Sequence, residues 1–316
     1  MTVNIKAASL LFILIATVAC APNHENLKKP GDGAVSVEHE GNPPKEDIRD
    51  RPRIRICTWN IDRLGGSNTR DEDAVKDMAS IIHRNDCDLI SIQEVQALAP
   101  VNRIRSLLNQ KSSSASAWGR LVSKATGTGP GVQTESYALL WKTNTLEFVR
   151  SGGLVQRSRM WRSPHYAMFK SIQSGANFDF VIMSTHTKTA PHVRVDLVNL
   201  RRDFNRVRQI TQEPDVILVG DLNQQPSVRA NANWAPLADL SWVFNKPPFS
   251  SMANGSGKLN DNIVFGNPTR EDFVSGAYID EFEKEQRFRN SPPKHKRISD
   301  HRLGYADFRS DNDNSG

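Results

Sequence analysis

Apolar residues recur along this chain with two distinct periods. From Arg53 to Ile61 apolar and polar positions alternate, the two-residue period of a half-buried strand. Behind the acidic stretch 71–73, Val75, Met78, Ala79 and Ile82 then repeat at helical spacing. Asp88 to Gln93 is a short apolar run with polar boundaries, and further strands are predicted at Ser136–Lys142, Leu146–Arg150, Ala167–Ile172 and Phe178–Thr185. Leu197, Leu200, Phe204 and Val207 fall on one face of a helix predicted from about Val193 to Ile210, and Asp215–Val219 reads as the strand after it. Neighbouring strand pairs mixed with helix-linked strands predict an α/β sandwich of mixed sheets rather than a purely doubly wound parallel sheet.

The pattern breaks at both ends. Residues 1–20 read as an export signal: Lys6 precedes an apolar run from Ala7 to Ala19, too short for a permanent bilayer span, which closes on Cys20. The small residues before Cys20 fit lipidation of that cysteine and anchorage to a bacterial membrane, although Thr17 stands where leucine is commoner. Cleavage around Ala19 to Ala21, with release as a secreted or periplasmic protein, fits as well. Residues 21–50, with Pro30, Pro43, Pro44 and three glycines but no apolar periodicity, read as a flexible tether. A single domain, expected to act as a monomer, is predicted over 51–309, and 310–316 as a frayed tail. Cys57 and Cys87 lie in apolar, strand-like contexts and are expected to be free and inert, with a pairing between them left open.

Composition narrows the classes without choosing among them. In 316 residues, 38% apolar content suffices for one large core, and 24% charged residues argue against a membrane-embedded protein. The balance of 41 Lys plus Arg against 35 Asp plus Glu, a net +6, suits a polyanionic partner but equally suits simple solubility.

Chemistry enters where polar residues interrupt the apolar strands. Thr58-Trp59-Asn60, Ile92-Gln93-Glu94, Thr185-His186, Gly220-Asp221-Leu222-Asn223, Asn260-Asp261-Asn262-Ile263 and Ser299-Asp300-His301 all fall at predicted strand ends, where sites are built. Singly, each is an ordinary turn or a hydrogen-bonded structural histidine. Together they supply Asn60, Glu94, Asp221, Asn223, Asp261 and Asp300 as hard oxygen groups, with His186 and His301. Oxygen ligands favour Mg²⁺ or Ca²⁺ over zinc.

In this order the motifs resemble those of the endonuclease/exonuclease/phosphatase superfamily, over about Ile54 to Phe308. The resemblance implies a four-layer α/β sandwich, two packed mixed β-sheets flanked by helices. Glu135-Ser136-Tyr137 and Trp161-Arg162-Ser163-Pro164 look like elements of the deoxyribonuclease-I-like branch. That branch implies a Mg²⁺-dependent, sequence-non-specific endonuclease acting on DNA, with Mn²⁺ or Ca²⁺ as alternative ions. By the same resemblance Glu135 orients His186, Asp261 orients His301, Arg162 binds the scissile phosphate, and Glu94 with Asn60 and Asp300 holds the metal. Asp221 and Asn223 orient water and phosphate or hold a second ion, and His301 is the expected base. Elementary chemistry agrees: phosphodiester hydrolysis needs an activated water opposite a leaving alkoxide, and two imidazoles with fixed tautomers supply a base and an acid.

Some positions depart from that branch. Gln96 stands where vertebrate-type relatives usually place a groove-entering arginine, and Gln133 replaces a tyrosine that packs on the nucleotide. Arg287, Arg289, Lys294, Lys296 and Arg297, leading to His301, are expected to hold nucleic-acid backbone in their stead, and Arg201-Arg202 stays ambiguous. Two alternatives share the machinery or the fold: a phosphoinositide phosphatase or sphingomyelinase-like lipid phosphodiesterase, and an inactive binding protein. A toxin-subunit nuclease would keep the chemistry and add protein partners. Trp234, Trp242, Phe244 and Phe249 are expected in the core rather than in a lipid-facing patch.

Overall fold

The alternating and buried-run segments form twelve strands, β1 (Arg53–Leu64), β2 (Leu89–Val95), β3 (Trp118–Val122), β4 (Ser136–Lys142), β5 (Leu146–Leu154), β6 (His165–Ser171), β7 (Asp179–His186), β8 (Val216–Asp221), β9 (Ser241–Trp242), β10 (Asp261–Phe265), β11 (Phe273–Ile279) and β12 (Gly304–Arg309). The helical periods form α1 (Glu72–Arg84), α2 (Leu98–Lys111) and α3 (Val193–Thr211), with one-turn helices α4 (Asn267–Arg270) and α5 (Gln286–Arg289). The computed structural model describes residues 52–65, 72–112, 117–129, 131–225, 235–252, 257–289 and 298–311. The export signal, Cys20, the tether, Trp234 and residues 290–297 lie outside the described residues.

Two six-stranded sheets are laid face to face, in the orders β11-β12-β1-β2-β4-β3 and β5-β6-β7-β8-β10-β9. Each has one parallel pair near its centre, β1 with β2 and β7 with β8, and antiparallel neighbours outside it. Ile56, Leu139, Phe169, Phe180, Ile217, Ile263 and Phe308 fill the space between the sheets. One outer face buries Val75, Met78, Ile82, Val101, Ile104 and Leu108 of α1 and α2. The other buries Leu197, Leu200, Phe204 and Val207 of α3. Helices, sheet, sheet and helix make the four layers that the resemblance implied.

Four features differ from the sequence reading. Cys57 and Cys87 are bonded as a disulfide, because the turn after α1 brings Cys87 beside β1 with the Cα atoms 5.9 Å apart. The interval after β2, read without an element, holds α2 and β3, with Pro100 tolerated in the first turn of α2. β1 does not end near Asn60: pairing with β2 breaks register between Asn60 and Leu64, and the strand continues. Ser310 is not frayed; it is buried, its Oγ donates to Gln173, and its backbone bonds Pro52 and Asn177. Trp242 and Phe244 are buried and Phe249 packs against the inter-sheet core, as expected of the aromatic stretch.

Candidate active site

The mixed topology gathers the chemistry at one end of the sandwich. A parallel strand carries its polar residue at its C-terminal end, and an antiparallel neighbour carries one just before its start, so both arrive on the same edge. Thus β7 ends at His186 and β8 at Asp221, while Glu135, Asp261 and His301 stand at or just before the starts of β4, β10 and β12. Asn60 joins the sheets: its Nδ2 donates to Asp221 Oδ2 and to Glu94 Oε1, both at 3.1 Å. Glu94 sits in the left-handed region at φ +59, rare for a side chain of its size. The conformation follows from the register break, which turns Glu94 toward Asn60 and lets Oε2 accept from the Arg63 amide at 3.0 Å.

Each histidine is clamped from behind by a carboxylate. His186 Nδ1–H donates to both Glu135 oxygens at 3.0 Å, and His301 Nδ1–H donates to Asp261 Oδ2 at 2.7 Å. These bonds fix both rings with Nε2 forward, and both Nε2 atoms converge on Asp221 Oδ2, at 3.7 and 3.9 Å. Arg162 Nε forms an ion pair with Glu135 Oε2 at 2.9 Å, and the buried guanidinium thereby faces the same pair of residues. Burial is the largest influence on His186 and opposes its charge, but Glu135 and then Asp221 outweigh it and raise the ring to about 9. At His301 burial is likewise outweighed by Asp261, Asp221 and Asp300, and the ring is raised to about 10. Neither ring can serve as base near neutral pH until this negative charge is offset.

The residues present fit a divalent cation. Asn60 Oδ1 is buried and lacks a hydrogen-bond partner, with Glu94 Oε1 bonded to the amide nitrogen of the same side chain. An orphaned amide oxygen among carboxylates is the hard donor set such an ion takes. Asp300, half exposed, reaches within 3.8 Å of His301 Nε2 and, like Glu94, acts on the Arg63 guanidinium. Asp221, Asp261 and His301 also offer ligand atoms within 4.8 Å of one another. We assign Asp261 and His301 to each other, because the Nδ1 bond already occupies the facing oxygen, and Asp221 to the boundary between the two subsites.

The ten residues given catalytic, phosphate-binding or metal-holding roles from the sequence are all described, and they share this end. Asn223, at φ +46, donates its backbone N–H to Asp221 Oδ1 at 2.8 Å and its Nδ2 to Thr187 O at 2.9 Å, so its amide donor is spent on the loop. Sequence reasoning missed Asp196, which is fully buried on α3. It accepts the Trp161 amide through Oδ1 at 3.1 Å and the Lys188 amide through Oδ2 at 2.7 Å, tying the Arg162 segment to the loop after His186. Its signal was a carboxylate on an apolar stripe, three residues after Val193 and four before Leu200. Ser299 was read as part of a motif without a role; its Oγ donates to Asn60 O at 2.7 Å and accepts the His301 amide at 2.9 Å. Arg287, expected on nucleic acid, is paired with Asp77 and Glu285.

Residues 57–301 match the Endonuclease/Exonuclease/phosphatase family, and the chain belongs to that family. A deoxyribonuclease of Thioalkalivibrio sp. (strain K90mix) is 30% identical over 218 residues, which cover 66% of this chain and 57% of that protein; the chain thus spans little more than half of that relative. Human deoxyribonuclease gamma is 26% identical over 223 residues, covering 67% of this chain and 71% of the relative. The crystal structure of an endonuclease/exonuclease/phosphatase family protein from Bacteroides thetaiotaomicron shares the fold, with a TM-score of 0.54 at 14% identity over 82% of this chain and 98% of that one.

Proposed function

We propose that this chain is an exported, Mg²⁺-dependent phosphodiesterase that cuts nucleic acid, DNA first, without sequence specificity. The observation that carries the reading is the convergence of two carboxylate-clamped imidazoles on Asp221 Oδ2, at 3.7 and 3.9 Å, beside the Arg162 guanidinium. A phosphodiester seated there meets one ring on the water side and the other on the leaving-group side. His301 takes a proton from the water as its oxygen bonds to phosphorus, and the bond from phosphorus to the leaving alkoxide breaks as His186 Nε2 delivers a proton to that oxygen. Arg162 holds the non-bridging oxygens, and Asp221 orients the water. When bound, a divalent cation supplies charge stabilisation to the phosphoryl oxygens; Glu94, Asn60 and Asp300 would hold it. Deoxyribonuclease relatives support DNA as the substrate. Export is supported by the Cys57–Cys87 disulfide, since such bonds persist in oxidising compartments.

The test is nicking of supercoiled plasmid by the full chain with Mg²⁺, beside a His186→Ala/His301→Ala double variant and an EDTA control. Nicking lost in both controls is expected. Intact plasmid together with phosphate or phosphocholine release from lipid substrates would replace the nucleic-acid reading with the lipid one.

A further inference from the structure

We propose that four arginines flanking the active site, Arg157, Arg159, Arg202 and Arg206, form a phosphate-binding track that grips the substrate's backbone beyond the scissile phosphate. The inference rests on the nucleic-acid reading of the catalytic site and adds the surface that captures the strand.

A groove of about 440 Å³ is lined by these four arginines with Asn199 and Asp203. Arg202 and Arg206 stand one turn apart on α3, on the stripe that also carries Asn199 and Asp203, while Arg157 and Arg159 come from the segment between β5 and β6. Asn199 Nδ2 donates to Arg159 O at 3.0 Å and Arg206 donates to Gln156 O at 2.7 Å, so the loop is fastened to the helix and the groove is built rather than incidental. Arg157 lies in the left-handed region at φ +56.

Charge makes the argument for a ligand. Like charges one turn apart on a helix repel, and folded proteins ordinarily offset them with acids. Here none of the four arginines makes a direct ion pair among the described residues, and Asp203, which lines the groove with them, is bonded to Ser158 and acts only through its charge on Arg206. The adjacent Arg201 is different: it turns away and pairs with Asp239 at 2.6 Å. That separates the Arg201-Arg202 pair that the sequence left ambiguous. Four guanidinium groups against one carboxylate, held in a groove, are suited to phosphate oxygens.

Position selects the phosphodiester backbone over a free anion. Arg159 is three residues from Arg162, a span of at most about 10 Å, which is a few phosphates along one strand. The segment between them is pinned to α3 through the Trp161 amide and Asp196. A strand whose scissile phosphate meets Arg162 can therefore continue over Arg159 onto α3. The track also supplies backbone contacts on a chain whose Arg287 is consumed in ion pairs.

The experiment measures binding of the full chain, silenced by His301→Ala, to a fluorescein-labelled 30-base-pair duplex across a salt series. It compares the four arginines with a variant carrying Gln at all four positions and one carrying Lys at all four. Each phosphate contact contributes about 0.9 to the slope of log Kd against log salt, so the Gln variant should lose about two to four units of slope. It should also bind at least about tenfold more weakly near 0.1 M salt, whereas the Lys variant keeps the slope. With His301 present, turnover of bis(p-nitrophenyl) phosphate, which has a single phosphodiester, should match wild type in the Gln variant while plasmid nicking falls. If the fourfold Gln chain does not fold, Arg157→Gln/Arg159→Gln and Arg202→Gln/Arg206→Gln are read separately, each expected to lose about half of that slope. An unchanged slope in a folded Gln variant overturns the track and leaves the proposed function standing. A starting protein that does not bind the duplex removes both, and arginine-dependent binding to anionic phospholipid vesicles in place of DNA overturns the assignment of the ligand.

Discussion

Glu135 serves two cations at once, holding His186 Nδ1 with both oxygens and pairing with Arg162 Nε. Its charge therefore fixes the His186 tautomer and keeps the Arg162 guanidinium in place, the acid and the phosphate grip of the proposed mechanism. Glu135→Gln preserves volume but removes the charge and leaves one acceptor oxygen for both His186 Nδ1–H and Arg162 Nε–H, so the ring can turn over or change tautomer. We expect kcat on a small phosphodiester to fall by about 10²- to 10⁴-fold, with a smaller rise in KM from the loosened Arg162. A variant within about twofold of wild type in kcat would show that the Glu135–His186 pair is structural. Asp261 has a simpler duty, because among the described residues His301 is its only cationic hydrogen-bond partner, and its other oxygen is buried without one.

Elements place these residues through a close approach that the chain must tolerate. Gly220, at φ +139, lies where β7 and β8 run parallel, and a Cβ there would sit 1.9 Å from Thr185 O. No side chain fits that gap, since the obstacle is backbone. Gly220→Ala should push Asp221 away from His186 and cost about 2 kcal/mol or more, both from strained φ and from the spread strands. Urea unfolding should show the lower midpoint, and kcat should fall with it; an unchanged midpoint would mean that the strands separate freely. Much of this level was legible beforehand. The runs that became β2, β4, β7 and β8, and the face of α3, are unmixed apolar patterns whose period survives packing. The break at Asn60 was not legible, because a register shift is decided by two strands distant in sequence. Nor was α2: its apolar positions Val101, Ile104, Leu107 and Leu108 follow directly on Pro100, and the proline obscured a helix that starts just before it.

At the scale of the whole molecule, the site's polarity extends downward between the sheets. Ser91 and Ser184 join across the interior at 2.7 Å, and Gln93 Nε2 donates to Ser91 Oγ at 2.9 Å. His165 is paired in register with Ser184 and so faces the same interior, where its Nδ1 has no hydrogen-bond partner. The ordered motifs marked in the sequence the residues that gather at this rim, whereas a histidine at the start of a strand gives no sign that the opposite sheet will bury it. The Cys57–Cys87 pairing was hidden for a similar reason, being set by how the turn after α1 returns to β1.

Burial makes His165 a determinant of acid stability. Desolvation lowers the ring to about 4 from an ordinary 6.5. As pH falls through 6.5 the unfolded chain takes up a proton that the folded chain refuses until about 4, so stability is complete above 6.5 and is lost through that window. The shift corresponds to about 3 kcal/mol. His186 and His301 act in the opposite direction at higher pH: their contribution is complete below 6.5 and lost as pH rises through about 9 and 10, outside the His165 window. His165→Leu should therefore flatten the decline between pH 6.5 and 4 by about 3 kcal/mol relative to wild type, measured by urea unfolding at each pH. Carboxylates that also protonate in that range are common to both chains and cancel in the difference. Parallel stability curves for the two proteins would mean that His165 is protonated in the folded state, with a water or a rearranged Ser184 supplying the partner its Nδ1 lacks.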